Sequence, residues 1–144
     1  MTNSIGCYSG LKRGDVRLQC RGIRGAITVP SNDKESILAA TKELLAEMTQ
    51  ANGTEVEDIA AIFFTTTPDL NVEFPAAATR ELGWPPSLAL LCGHEMSVPH
   101  DLPQTVRILM LINTEKGPDE IAHIYLGEAK RLKNETSLSI GGNT

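Results

Sequence analysis

Two arginines, Arg24 and Arg107, sit in apolar, strand-like segments, with Cys92 and Glu95 between them in the sequence and Tyr125 in a third such segment. The first arginine lies in Arg21-Gly22-Ile23-Arg24-Gly25-Ala26-Ile27-Thr28-Val29, where glycines let backbone approach a ligand closely. The second interrupts the apolar run Val106-Arg107-Ile108-Leu109-Met110-Leu111-Ile112. A guanidinium in such a run needs an anion or a carboxylate, because an unpaired buried charge is very costly. Guanidinium forks match carboxylates, and two converging forks would hold one tightly. The set has anion-binding groups and no hydrolytic machinery, so it reads as a site for a small dianion. The competing reading of either arginine alone is that it snorkels or pairs with a neighbouring Asp or Glu.

The remaining candidates each carry two readings. Cys92 and His94 share one strand parity and Glu95 has the other, unless Gly93 introduces a bulge. Glu95 could accept a hydrogen bond from a substrate hydroxyl, with Cys92 lining the same pocket. Alternatively it is a surface carboxylate beside a buried, inert thiol. Tyr125 offers a hydroxyl to a carboxylate or is a half-buried core residue. Phe74 and Leu132 supply apolar walls or only core, and Arg80 is a weaker anion contact on a short helix. Arg21 reads as a solvated strand residue. Cys92, His94, Glu95 and His100 have no spacing that closes a tetrahedral metal set, so no metal is expected. A Cys92–His94 nucleophilic pair lacks a third, orienting member. Phosphate-loop, dinucleotide and nucleophile-elbow patterns do not occur in the chain.

Composition narrows the partners. A chain of 144 residues, 41% hydrophobic, is a single domain that can bury its own core without disulfides or a structural metal. A formal charge of −5 argues against nucleic acid and anionic membranes, and 4% aromatics argue against a base-stacking platform. Any anionic ligand must be captured by local arginines against the global field. Cys7, Cys20 and Cys92 are odd in number and widely spaced, as in a reducing compartment. With neither a signal-peptide core nor a membrane-length apolar run, the expectation is a soluble, cytoplasmic protein.

The elements that must position these residues follow from periodicity. Residues 1–16 read as a flexible leader, 17–133 as one domain and 134–144 as a mobile tail. A strand over Arg17–Val29 stops at Pro30, and Ser31-Asn32-Asp33 offers a helix cap, with Glu35 completing a capping box from Asn32. Ile37, Thr41, Leu44, Leu45 and Met48 recur at helical spacing, and Gly53 is the C-cap. Strands are expected over 58–67, 87–92 and 121–126 and around Arg107, with a short helix between Pro75 and Gly83 and at most a helical turn over 99–103. The fold class is α/β (α+β): a mixed five-stranded sheet, ferredoxin-like, with one long helix on one face. An uncovered apolar second face implies further copies of the chain, with a site at their interface.

These residues also resemble a family. Arg21-Gly22-Ile23-Arg24-Gly25-Ala26, Thr67-Pro68-Asp69-Leu70, Phe74-Pro75-Ala76, Arg80-Glu81-Leu82, Cys92 with Glu95-Met96, Arg107 and Tyr125-Leu126 are similar in order and spacing to the monofunctional chorismate mutases of the AroH type, over about residues 19 to 133. The resemblance implies a homotrimer forming a pseudo-α/β barrel, with active sites between subunits. It implies the Claisen rearrangement of chorismate to prephenate, on the route to phenylalanine and tyrosine, without cofactor, metal or covalent intermediate. Carried over by residue, Arg107 would contact the ether oxygen and the enolpyruvyl carboxylate, and Arg24 and Tyr125 would grip that carboxylate. Glu95 would orient the ring hydroxyl beside Cys92. Phe74, Ala76 and Leu132 would pack on the ligand, with Arg80 and Lys133 favouring the ring carboxylate. Ala77 stands where the family often has Lys, and Leu91 replaces a Thr beside Cys92. Competing readings are a RidA-like imine or enamine deaminase and a non-catalytic trimer that binds a carboxylate.

Overall fold

The alternation in the first arginine segment is that of a strand buried on one side. In β1 (Gln19–Thr28), Ile23, Gly25 and Ile27 are buried and Arg24 is exposed on the opposite face. The structure, a computed structural model, describes residues 17–133; the expected leader 1–16 and tail 134–144 lie outside the described residues.

Helix α1 (Lys34–Asn52) presents Ile37, Leu38, Thr41, Leu44, Leu45 and Met48 as its buried stripe. Its cap corrects the Asn32–Glu35 expectation. Asp33 sits in extended backbone directly before the helix, and its carboxylate accepts the Ser36 amide at 2.7 Å. Asn32 lies one residue too early and instead bonds both the side chain and the amide of Asn71. Gly53 ends the helix as expected, with φ 58°.

The other strands are β2 (Ile59–Thr66), β3 (Leu90–His94), β4 (Thr105–Thr114) and β5 (Ile124–Leu126), in the sheet order β3-β2-β4-β1-β5. β4 is antiparallel to β1 and β2, whereas β3 pairs parallel with β2 and β5 parallel with β1. β1 and β2, joined by α1 with β4 inserted between them, form a split βαβ unit. A one-turn helix (Pro75–Ala77) and α2 (Ala78–Glu81) lie on the crossover from β2 to β3, ahead of Gly83 at φ 73°.

Two strand boundaries move. β3 starts later than expected, because residues after Pro85-Pro86 form a turn in which the Leu88 amide bonds the Pro85 carbonyl. It then runs on through Gly93 and His94 without a bulge. β5 is shorter than expected: both backbone groups of Ala122 are taken by the Asn52 side chain, which ties that segment to the end of α1. Residues 99–103 form no helical turn; His100 and Gln104 adopt left-handed backbone, φ 69° and 49°.

α1 packs on one sheet face against Ile23, Ile27, Ile62, Phe64, Val106, Ile108, Met110 and Ile112. Gly25 permits this contact, since a Cβ there would lie 2.4 Å from Met48 Sδ. This glycine is therefore required by helix packing. The opposite face carries Phe63, Leu91 and Leu109, respectively 37%, 63% and 41% exposed, so an apolar surface remains open on a single chain.

Candidate active site

Strand register assembles one half of the site. Tyr125 on β5 is opposite Ala26 on β1, Ala26 opposite Arg107 on β4, and Arg107 opposite Thr65 on β2. These side chains share the face away from α1, and the small Ala26 leaves room between Tyr125 and Arg107. There a cavity of about 560 Å³ opens, lined by Arg24, Ala26, Arg107, Tyr125, Leu132 and the 98–101 segment.

Arg107 is held by carboxylates from two sides. One terminal guanidinium nitrogen donates to Asp101 Oδ1 at 3.0 Å. Glu95 Oε1 lies 3.8 Å from Nε, close enough for an ion pair and too far for a hydrogen bond. Arg107 Nε is therefore a buried donor without a hydrogen-bond partner. Glu95 is fixed by extension of the β2–β3 pairing: its amide donates to the Thr66 carbonyl at 2.8 Å and its carboxylate accepts the Thr65 hydroxyl. The reading of Arg107 as paired with neighbouring acids thus holds: one terminal nitrogen is hydrogen-bonded to Asp101, while Nε, within ion-pair range of Glu95, still lacks a hydrogen bond.

Arg24 sits on the same face, and its guanidinium makes no ion pair among the described residues. Its amide donates to His123 Nδ1 at 2.9 Å, which requires that nitrogen to be unprotonated. Burial, then the charges of Arg24 and Lys133, hold the His123 pKa below the usual imidazole range. Lys133 is thereby placed within electrostatic reach of the Arg24 end of the site.

Phe74 and Cys92 are elsewhere in the chain. They line a second cavity of about 350 Å³ with Thr66, Leu70, Val72 and His94. β3 and β5 are four strand spacings apart, roughly 19 Å. Cys92 pairs with core-facing Phe64, so it lies on the other side of the strand from Glu95's partner Thr65. The expectation that Cys92 and Glu95 line one pocket is therefore corrected within a single chain, because strand alternation separates them. The Ala76 backbone lies near the Cys92 thiol, and Arg80 is exposed on α2. Ala77 is partly buried against the core, and Leu91 faces solvent.

The nucleophilic reading fails on geometry. His94 Nδ1 lies 3.0 Å from Thr66 Oγ1 rather than addressing Cys92. Burial pushes the Cys92 thiol pKa up, against the nearby Ala76 backbone, and so disfavours the reactive thiolate. No cluster of three or more His, Cys, Asp or Glu able to hold a metal ion occurs among the described residues.

Three participants escaped the sequence reading. Thr65 was accessible from strand alternation, since it shares the Phe63 face of β2. His123 and Asp101 carried no such signal: one is recruited by an amide 99 residues away, the other by an irregular loop.

Residues 20–136 match the profile of the family "Chorismate mutase type I". The chain is 47% identical over 114 residues to the chorismate mutase AroH of Thermus thermophilus, covering 78% of this chain and 93% of that protein. It is 39% identical over 123 residues to the AroH of Bacillus subtilis, covering 85% and 96% respectively. Its fold is similar to the solved chorismate mutase from Clostridium thermocellum, with a TM-score of 0.75 and 46% identity over 77% of this chain and 98% of that one.

Proposed function

The chain belongs to the type I chorismate mutase family, an isomerase that rearranges chorismate to prephenate, and on that premise we propose how its residues accomplish the reaction and where they meet. A one-substrate pericyclic rearrangement needs neither base nor nucleophile. It needs a compact conformer and stabilisation of the negative charge that develops on the ether oxygen as the C–O bond breaks.

The unsatisfied Nε of Arg107 is the observation that carries the mechanism. A buried donor left unbonded on a residue that lines the cavity is suited to meet an oxygen whose charge grows in the transition state. Arg24, without an ion pair of its own, and Tyr125 grip the enolpyruvyl carboxylate from across Ala26 and select the reactive conformer. Glu95, held by the Thr65 hydroxyl, orients the ring hydroxyl, and Leu132 packs against the ligand. No covalent intermediate or cofactor takes part.

Phe74, Ala76, Cys92 and Arg80 complete the site from a neighbouring subunit, with Lys133 near the ring carboxylate. Strand alternation supports that division, since Cys92 pairs with core-facing Phe64 whereas Arg107 pairs with Thr65 on the opposite face. So does the open apolar face of Phe63, Leu91 and Leu109, which suits burial in a homotrimeric pseudo-α/β barrel. Free thiols at Cys20 and Cys92 support a reducing, cytoplasmic setting.

The test is chorismate consumption, with prephenate identified as product, by the parent enzyme and Arg107→Ala. Loss of this donor should cost about 3–4 kcal/mol or more, chiefly in kcat. A folded Arg107→Ala protein with unchanged turnover would remove Arg107 from the role.

A further inference from the structure

Asp101 is not needed by the mechanism above, yet it makes the one direct hydrogen bond found on the Arg107 guanidinium among the described residues, at 3.0 Å. It also lines the cavity together with Arg24 and Arg107. We propose that Asp101 is an internal competitor for substrate: its carboxylate holds Arg107 in the free enzyme and is displaced when a carboxylated ligand enters. The proposal rests on the assignment of Arg107 as a substrate contact.

Charge balance supports displacement. The two cations Arg24 and Arg107 are offset by the two carboxylates Glu95 and Asp101 while Asp101 is in place, and Lys133 adds positive charge toward the Arg24 end. Withdrawing Asp101 raises the net positive charge of the site by one beside the unbonded Nε, which favours an entering dianion. Glu95 is the less movable acid, fixed by its amide to Thr66 and by the Thr65 hydroxyl.

The loop is built to give way. Its start is anchored at the Glu95 amide, and its end by the Asp69 carboxylate, which accepts the Gln104 amide at 3.0 and 3.2 Å. Between these anchors the one backbone–backbone hydrogen bond among the described residues is a long contact from Asp101 to Val98, 3.4 Å. His100, next to Asp101, holds a left-handed φ of 69°, which a non-glycine residue relaxes from at a gain. The Asp101–Arg107 pair is itself partly solvated, with side chains 21% and 34% exposed, so breaking it costs little.

Steady-state kinetics with chorismate and calorimetric binding of prephenate, on the parent enzyme, Asp101→Asn and Asp101→Ala, test the idea. Asn keeps an acceptor for the Leu102 amide while losing the charge; Ala removes the contact altogether. For Asp101→Ala, KM and the prephenate Kd should both fall about two- to fivefold, the range a partly exposed ion pair supports. Asp101→Asn should give a smaller fall in the same direction, with kcat unmoved in both. In an Arg107→Ala background the Asp101→Ala gain should vanish. Unchanged or raised KM and Kd in folded Asp101 variants would overturn the proposal, as would a fall in kcat alone, which would make Asp101 a positioning residue for Arg107. If Arg107→Ala itself kept full turnover, the failure would lie with the Arg107 assignment instead.

Discussion

Arg107 and Arg24 differ in how their chain treats them, and the difference separates their roles. Arg107 is clasped by Asp101 and flanked by Glu95, with one buried nitrogen left over, whereas Arg24 projects into the cavity without an ion pair among the described residues. Arg24→Ala should therefore act mainly on binding. Loss of a charged hydrogen bond worth about 1.5–3 kcal/mol should raise KM by at least about tenfold, with a smaller kcat loss than Arg107→Ala. Steady-state kinetics on the two variants side by side would show the split. Cys92 lines a cavity, and burial raises its thiol pKa, so the proposed role is a wall rather than a reagent. Cys92→Ser should keep substantial turnover, and mass-spectrometric mapping of iodoacetamide labelling at neutral pH should find Cys92 slower than the exposed Cys20.

At the level of elements, the site depends on how closely α1 and β5 are drawn to β1. Gly25 allows Met48 to sit against the β1 backbone, so Gly25→Ala should destabilise the protein by about 1–3 kcal/mol through overpacking. Denaturant midpoints would measure this, and the loss should shrink in a Met48→Ala background, where the clashing sulfur is gone. The β5 side is joined to β1 by the Arg24 amide and His123 Nδ1. Because the folded-state pKa of His123 is lowered, the unfolded chain takes up this proton first as pH falls. The contribution is fully present above the ordinary imidazole value of about 6.5 and declines below it, until the folded-state pKa is passed. Urea midpoints taken through that range should fall for the parent protein and fall less for His123→Asn, whose amide oxygen can accept the Arg24 hydrogen bond without titrating.

For the whole molecule, the division of candidate residues between two cavities on opposite sheet faces would make assembly part of the chemistry in the proposed trimer. In the proposed trimer, sizing should return three times the 15.5 kDa chain mass. Leu109→Asp, placing a charge on the open apolar face, should lower both assembly and turnover. Subunit complementation tests the shared site directly. Arg107→Ala and Arg80→Ala lie in different halves, so mixed trimers refolded from the two variants should be more active than the average of the parents. No gain in a mixture shown to contain both chains would mean that one chain supplies the whole site.

The residues alone determined a good part of this. The periodicity of Ile37 to Met48 and the left-handed stop at Gly53 specify α1, because a buried helical stripe and a residue tolerant of positive φ have few alternatives. A charge inside the apolar Val106–Ile112 run singles out Arg107 as a residue that needs an anionic partner, since burial without one is so unfavourable, and the chain supplies Asp101 and Glu95. Local signals did less well at β3, where successive prolines delay pairing, and at the α1 cap, where a one-residue offset decides which carboxylate or amide reaches the free N–H groups. The fold decided the rest. Register across β5, β1, β4 and β2 put Tyr125, Arg107 and Thr65 in one row, and strand alternation turned Cys92 away from Glu95. His123 reached the Arg24 backbone through a contact that forms only when segments 99 residues apart are packed side by side, and Asp101 reached nearby Arg107 through the path of an irregular loop that spacing does not encode.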